Sequence, residues 1–127
     1  MEVRDGLRYT DDHEWLQLEG DVGLVGVTAY AADQLGDIVF VELSTVGTML
    51  TRHQVFGVVE SVKAVSDLYA PVAGEVVAVN GDLAARPELV NEDPFGAGWM
   101  LRVRLSDAGE VEGLKDADSY RKLIEAG

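Results

Sequence analysis

The chain alternates short apolar runs, most of them rich in valine, with glycine and acidic residues that favour turns. Short runs of β-branched and aromatic residues bounded by turn residues are typical of β-strands. The pattern therefore predicts a mainly β protein with short helices. The predicted strands cover residues 7–9, 14–18, 21–27, 38–43, 49–50, 55–59, 74–79 and 99–105.

Two of these strands are expected to bury one face only. The strand at 14–18 places one set of alternate side chains on each face, and the strand at 99–105 alternates apolar residues with arginine. Alternation with a period of two is typical of a strand with one buried and one solvated face.

Two helices are predicted from capping residues and apolar spacing. Thr28 is a suitable N-cap for a helix at 29–35, and Gly36 is a suitable stop. Asp116 or Asp118 can begin a C-terminal helix, which we expect to pack on the sheet through an apolar stripe formed by Tyr120, Leu123 and Ile124. Between them we expect a turn at 80–81, short helical or irregular segments at 82–86 and 87–90, and a loop at 91–98.

A lysine near the middle of the chain is the most distinctive candidate for function. Lys63 follows the apolar run at 55–59 and precedes the run at 74–79, and pairing of these runs would hold it on an exposed hairpin. Such a lysine is a chemical handle, although hairpin lysines also commonly protect sheet edges. Segments 36–41 and 74–79 both read as glycine, acid and then mostly β-branched residues. This match predicts two similar β-units across one core, connected by the lysine hairpin.

Composition and charge narrow the function classes. A chain of 127 residues with 47% hydrophobic residues and a mean hydropathy of +0.06 is expected to form one domain. With 23 acidic and 10 basic residues the net charge is −13, which disfavours nucleic-acid and membrane-surface partners. The first residues resemble no targeting leader, so a cytoplasmic location is expected; a mature organelle protein that has lost a transit peptide would look alike.

Little in the sequence indicates catalysis. The chain has no cysteine, so any sulfur chemistry must be imported. His13 and His53 lie in no metal-ligand or triad spacing, and we expect them to be structural or surface residues. Trp15 and Trp99 are expected to pack rather than to form a stacking platform. No nucleotide-binding motif is present. The residues alone thus offer no catalytic or metal-binding arrangement that we recognise.

Several short motifs resemble one family. The strongest, residues 59–67 (Val-Glu-Ser-Val-Lys-Ala-Val-Ser-Asp), is similar to the lipoyl-attachment signature of the glycine cleavage system H-proteins. Six further matches occur in the family's order, at residues 13–15, 26–28, 35–37, 71–76, 91–94 and 98–100. Ser44 departs from the family, which commonly has proline there, and this puts only the local turn in doubt.

The resemblance implies a fold and a set of site residues. The fold is a barrel-sandwich hybrid like those of lipoyl and biotinyl domains: a single domain over residues 1–127, with a lipoyl-type core at roughly 22–105 and a helix at roughly 116–126. Lys63 would carry lipoic acid in amide linkage. Glu60 and Ser61 would shape the hairpin and its recognition by the attaching enzyme. Glu14 and Asp67 are candidates for a pocket around the aminomethyl-loaded arm.

The resemblance also implies a role and partners. The lipoyl arm would accept an aminomethyl group from a pyridoxal-phosphate glycine decarboxylase and pass it to a tetrahydrofolate-dependent aminomethyltransferase. A dihydrolipoyl dehydrogenase would then reoxidise the arm, and the chain itself would be a carrier rather than an enzyme. A lipoate-attaching enzyme is the remaining expected partner, and a monomer is expected. The alternatives are a biotin carrier, a protein that relays lipoate or acyl groups to other acceptors, and an unmodified interaction module.

Overall fold

The computed structural model describes residues 2–126. The strands are β1 (Arg8–Tyr9), β2 (Glu14–Glu19), β3 (Val22–Val27), β4 (Ile38–Leu43), β5 (Met49–Leu50), β6 (Val55–Ser61), β7 (Val65–Tyr69), β8 (Gly74–Val79) and β9 (Leu101–Leu105). The helices are α1 (Ala29–Leu35), α2 (Asp82–Ala85), α3 (Leu89–Glu92) and α4 (Ala117–Ala126), with a 3₁₀ helix at Ala108–Gly113.

The strands form two antiparallel sheets. The larger sheet has the order β1-β2-β3-β9-β8-β5, and the smaller has the order β4-β6-β7. Each predicted strand is present, with shifts of one or two residues at some ends. The strand β7 at 65–69 was not predicted. The mainly β fold class with short helices is confirmed.

The predicted pairing of the apolar runs at 55–59 and 74–79 is wrong. Strand β6 pairs instead with β7, in a register that places Val58 opposite Asp67. Strand β8 lies in the other sheet, between β9 and β5. The turn after β6 is tight, so the residues that follow Lys63 return directly along β6 and occupy the position that was assigned to the later run.

The main core lies between the two sheets. Ile38 and Val41 of β4 and Val76 of β8 are buried in one apolar cluster, to which both sheets contribute. The two matching segments therefore lie in different sheets over a shared core, as the internal match predicts. The hairpin of β6 and β7 lies between them in the sequence, with β5 as an additional element.

A second apolar cluster lies under the C-terminal helix. Tyr120 of α4 stacks on Tyr9 of β1, with ring centroids 4.5 Å apart and an interplanar angle of 8°. Such stacking adds to the burial of two large side chains. The predicted packing of this helix on the sheet is confirmed. Asp116, rather than Asp118, caps the helix, because its Oδ1 accepts the Ser119 N–H at 2.9 Å.

Burial in β2 differs from the prediction. Its first three residues are buried and its last three, including Leu18, are exposed. Burial therefore changes from one end of the strand to the other and does not alternate between its two faces. Leu16 enters the main core on one side, while Trp15 enters the second cluster on the other. Both faces are therefore covered at the start of the strand and neither at its end.

The remaining predictions concern helices and tryptophans. Thr28 Oγ1 accepts the Ala31 N–H at 3.2 Å, which confirms it as the N-cap of α1. The predicted loop at 91–98 is wrong at its start, where α3 includes the first two residues. Trp15 is buried and donates from Nε1 to the Pro94 carbonyl at 3.0 Å, so it packs as expected. Within residues 2–126, no helix is long and apolar enough to cross a membrane.

Candidate functional site

Lys63 lies at the tip of the β6–β7 hairpin. The Ser61 N–H donates to the Ala64 carbonyl at 2.8 Å and closes a two-residue turn formed by Val62 and Lys63. Both turn residues are exposed to solvent. The prediction of an exposed hairpin lysine is therefore confirmed in its position, although its partner strand is β7.

The hydroxyl group of Ser61 organises the turn. It accepts the backbone N–H groups of Lys63 at 3.2 Å and Ala64 at 3.0 Å, and it lies 3.3 Å from the Ala64 carbonyl. Serine hydroxyls commonly satisfy backbone groups of this kind within a turn. The backbone at Lys63 is thus fixed by the side chain two residues before it.

Ser61→Ala is expected to loosen this turn with little loss of global stability. Removal of exposed hydrogen bonds lowers the free energy of unfolding by about 1 kcal/mol or less. Hydrogen exchange measured by NMR should accelerate at the Lys63 and Ala64 amides. Ser66→Ala is a matched control on the same hairpin, because the Ser66 hydroxyl makes only a 3.4 Å contact with the Asp67 carbonyl. Equal exchange in the two variants would contradict the role given to Ser61.

The tip also contacts the junction between α1 and β4. The Val62 N–H donates to the Asp37 carbonyl at 3.1 Å. The stem of Lys63 lies against Gly36, where an added β-carbon would be 3.3 Å from Lys63 Cε. Gly36 has φ +82° and ψ −160°, a conformation that is almost confined to glycine. The lysine stem therefore rests on a surface that only glycine provides.

Asn91 of α3 holds this junction from the other side. Its Oδ1 accepts the Ile38 N–H at 2.8 Å and its Nδ2 donates to the Gly36 carbonyl at 2.8 Å. Sequence reasoning assigned Asn91 to a loop and gave it no role. Its presence in one of the matched motifs, at 91–94, was the available signal.

The surface around the lysine combines exposed apolar and acidic groups. Val62 and Val65 are 69% and 67% exposed, and Val39 of β4 is 53% exposed. Glu60 is half-buried on β6, in register with Val65 across the hairpin. Exposed apolar residues in one region often mark a contact surface for another protein. Acidic residues beside them favour a partner with basic groups.

Glu14 is buried, which the sequence did not predict. Glu14 is the first residue of β2 and is 1% exposed. Its Oε1 accepts the Thr10 hydroxyl at 2.6 Å, and its Oε2 lies 3.4 Å from the donating Tyr69 N–H. Burial raises the pKa of Glu14 to about 7, against an ordinary value of 4.5.

Glu14 and Asp67 are associated with the same strand. Glu14 contacts the backbone N–H of Tyr69, and Asp67 lies two residues before Tyr69 on β7. Asp67 is exposed, however, whereas Glu14 is covered. A pocket that uses both carboxylates requires Glu14 to become accessible, and this pocket stays a prediction.

The two histidines lie where structural or surface roles are expected. His13 is within hydrogen-bond distance of Tyr120, with Nδ1 and the hydroxyl oxygen 2.8 Å apart, and Tyr120 also contacts Thr28 Oγ1 at 2.7 Å. Burial lowers the pKa of His13, which favours its neutral form. His53 is exposed. In the described residues, no group of three or more histidine or acidic side chains is arranged to hold a metal.

Two sheets over one core, with an exposed lysine on a hydrogen-bonded hairpin tip, define a domain that displays a primary amine. A family model described as glycine cleavage H-protein matches residues 7–127. A probable glycine cleavage system H protein from Haloarcula marismortui is 57% identical over 125 residues, which cover 98% of each chain. A glycine cleavage system H protein from Chlorobium limicola is 54% identical over 126 residues, again 98% of each chain. The chain belongs to the glycine cleavage H-protein family.

A solved structure gives the same result for the fold. The crystal structure of a glycine cleavage system H protein from Mycobacterium marinum matches this chain with a TM-score of 0.89 and 37% identity. The match covers 97% of this chain and 99% of that chain. The predicted barrel-sandwich hybrid with a C-terminal helix is confirmed.

Proposed function

We propose that this chain is the lipoyl carrier of a glycine cleavage system, with lipoic acid in amide linkage to Lys63. The observation that carries the proposal is the position of Lys63 on a fixed, exposed hairpin tip in a member of this family. The single-domain organisation, with a lipoyl-type core at 22–105, is part of the proposal.

The residues at the tip suit the attachment of such a group. Lys63 forms no salt bridge to any residue in the 2–126 range, so its amine is available for acylation. The stem leaves the tip along Gly36 and is exposed. The lipoyl group, when bound, supplies a disulfide on a long tether, which is redox chemistry that a cysteine-free chain lacks.

The chain's own residues fix the tip, present it to the attaching enzyme and shield the loaded arm from water. Ser61 and the Asp37 carbonyl fix the backbone of the tip. Glu60 and Ser61 present features that the lipoate-attaching enzyme recognises. Glu14 and Asp67 hold the cationic end of the loaded arm and exclude water around it, once Glu14 is uncovered. These residues position the arm and leave the reactions of the arm to the partner enzymes. The tether raises the local concentration of the arm at each enzyme.

The partners follow from this role. They are glycine decarboxylase, the aminomethyltransferase, dihydrolipoyl dehydrogenase and the enzyme that attaches lipoate. The chain binds each of them as a monomer. The net charge of −13 favours basic docking surfaces on these enzymes. The cytoplasmic location expected from the sequence stays a prediction.

Modification and reconstitution test the proposal directly. The protein, produced with a lipoate-attaching enzyme, should gain the mass of one lipoyl group at Lys63, and the adduct should respond to thiol reductants. A biotin carrier would gain no lipoyl mass here; with a biotin-attaching enzyme it would gain a different mass, and that adduct would not respond to thiol reductants. The modified protein should then support release of carbon dioxide from glycine by purified glycine decarboxylase. A lipoylated protein without this activity would contradict the glycine cleavage role and favour the relay of lipoate to other acceptors.

A further inference from the structure

Asn91 bridges two points of the chain that flank Asp37. One amide group bonds the Gly36 carbonyl before this residue and the Ile38 N–H after it, each at 2.8 Å. These are long-range contacts, because Asn91 lies on α3, more than fifty residues later in the chain. A side chain that satisfies both groups fixes the peptide planes on either side of Asp37.

The segment that Asn91 fixes is the one that holds the hairpin tip. The Asp37 carbonyl accepts the Val62 N–H at 3.1 Å, and the Lys63 stem lies on Gly36. Gly36 and Asp37 lie between the end of α1 and the start of β4 at Ile38, so the helix and the strand fix only the two ends of this junction. The conformation of Gly36 is open to glycine but is not enforced by it. Asn91 therefore supplies restraint that the backbone lacks.

We propose that Asn91 is a positioning residue for the acylation of Lys63, acting through the Gly36–Ile38 segment. It keeps the Asp37 carbonyl directed at Val62, so the tip is already ordered when the lipoate-attaching enzyme binds. The inference rests on the proposed function, because it concerns how Lys63 is presented for that modification.

The expected effect is on recognition rather than on the chemical step. If only a fraction of molecules has an ordered tip, the apparent dissociation constant rises in inverse proportion to that fraction. Loss of both Asn91 hydrogen bonds is therefore expected to raise the KM of the attaching enzyme for this protein about fivefold. The kcat should stay within about twofold, because at saturating concentrations of this protein every enzyme molecule has bound a copy with an ordered tip.

A matched asparagine provides the control. Asn80 also bonds backbone groups through its whole amide: Nδ2 donates to the Ala97 and Trp99 carbonyls, and Oδ1 accepts the Asp82 N–H at 3.1 Å. Asn80 is 5% exposed, and these contacts link the end of β8 to the 97–99 loop rather than to the hairpin. Asn80→Ala therefore removes a comparable set of bonds without touching the Gly36–Ile38 segment.

The experiment measures lipoylation of the full chain by a lipoate-attaching enzyme with free lipoate and ATP. ATP activates the lipoate carboxylate as an acyl adenylate with release of pyrophosphate, and Lys63 Nζ then displaces AMP and loses a proton as the amide forms. KM and kcat are determined for the wild type, Asn91→Ala, Asn91→Asp and Asn80→Ala, below the unfolding temperature of each protein. Asn91→Asp keeps an acceptor for Ile38 but loses the donor to Gly36, so it remains informative if the alanine variant folds poorly. Hydrogen exchange at the Val62 amide is measured by NMR in the same proteins.

We expect a raised KM and faster exchange at the Val62 amide in both Asn91 variants. In Asn80→Ala we expect neither change. Equal KM values in the Asn91 and Asn80 variants would overturn the inference, as would a change confined to kcat. These results differ from failure of the proposed function, in which the wild-type protein itself accepts no lipoate. If the wild type is lipoylated and the Asn91 variants have the same KM as the wild type, the carrier role stands and only the role of Asn91 is removed.

Discussion

Lys63→Arg is expected to abolish lipoylation and, with it, all support of glycine decarboxylation in a reconstituted system. Arginine keeps the positive charge and most of the length of the side chain. Its guanidinium group stays protonated at any pH the protein tolerates, so it offers no free amine to form an amide. Because Lys63 is exposed, the fold should be unchanged. Intact mass and carbon dioxide release from glycine measure the two losses.

Lys122→Arg is the matched control for this variant. Lys122 is an exposed lysine on α4, in a chain that has few lysines, and it should be replaceable without loss of modification or activity. Substantial activity in Lys63→Arg would show that another residue carries the arm or that no arm is needed. An adduct on the Lys63→Arg protein would locate that other residue by peptide mapping.

A second large effect is expected from the buried carboxyl group of Glu14. Its pKa in the folded protein is about 7, above the ordinary value of 4.5 that applies in the unfolded chain. The folded state therefore keeps the proton to higher pH than the unfolded state does. By linkage, the contribution of Glu14 to the free energy of unfolding is fully present below the lower pKa. It falls as pH rises towards the higher pKa and is constant above it.

Comparison with Glu14→Gln isolates this contribution. Glutamine does not ionise. The free energy of unfolding of Glu14→Gln, relative to that of the wild type, should therefore increase by about 2.5 kcal/mol between pH values of about 5 and about 8. Chemical denaturation of both proteins at the two pH values gives the double difference, in which constant losses such as the bond to Tyr69 cancel. Glu112→Gln, at an exposed site, should show little change. A pH-independent difference for Glu14→Gln would mean that its carboxyl group ionises in the folded state as it does in the unfolded chain.

The same carboxyl group links stability to the proposed pocket. A buried neutral Glu14 is paired with Thr10 and Tyr69, and it has no charge to attract a cation. An ammonium group that reaches it would favour ionisation and would lower its pKa again. Binding of the loaded arm should then be accompanied by release of a proton below pH of about 7, which calorimetry in buffers of different ionisation enthalpy can measure.

Most strands could be predicted from the sequence because their apolar runs are continuous. Strand β7 was missed because its central residues, Ser66 and Asp67, are polar and only Leu68 is buried. It lies at the edge of the smaller sheet, where one side of its backbone pairs with β6 and its side chains need little burial. Periodicity carries little signal for such a strand, and its pairing depends on the tight turn at Lys63.

The candidate site could be predicted only in part. Lys63 was found because a lysine between β-prone runs stands out locally. The burial of Glu14 was not, because acidic residues are usually exposed and its contact with the Tyr69 N–H joins segments that are distant in the sequence. The bonds of Asn91 to the α1–β4 junction were likewise hidden, since they join segments that are distant in the sequence.

The departure at Ser44 has a simple structural account. The Ser44 N–H donates to the Phe56 carbonyl at 2.8 Å, and the Ser44 hydroxyl donates to the same oxygen at 2.9 Å. Proline at this position would lack the backbone donor. Both hydrogen bonds lie at the turn after β4, where the sequence placed the departure.

Strand β9 lies between β3 and β8 in the larger sheet, and it is the last strand in the chain. On the ribosome, the Lys63 hairpin emerges well before β9, and also before Asn91. Until residue 105 leaves the exit tunnel, the larger sheet lacks the strand that joins its two halves. Domains generally fold as units. We therefore expect Lys63 to reach its final setting only after β9 has left the tunnel, so that the proposed acylation follows synthesis of this strand.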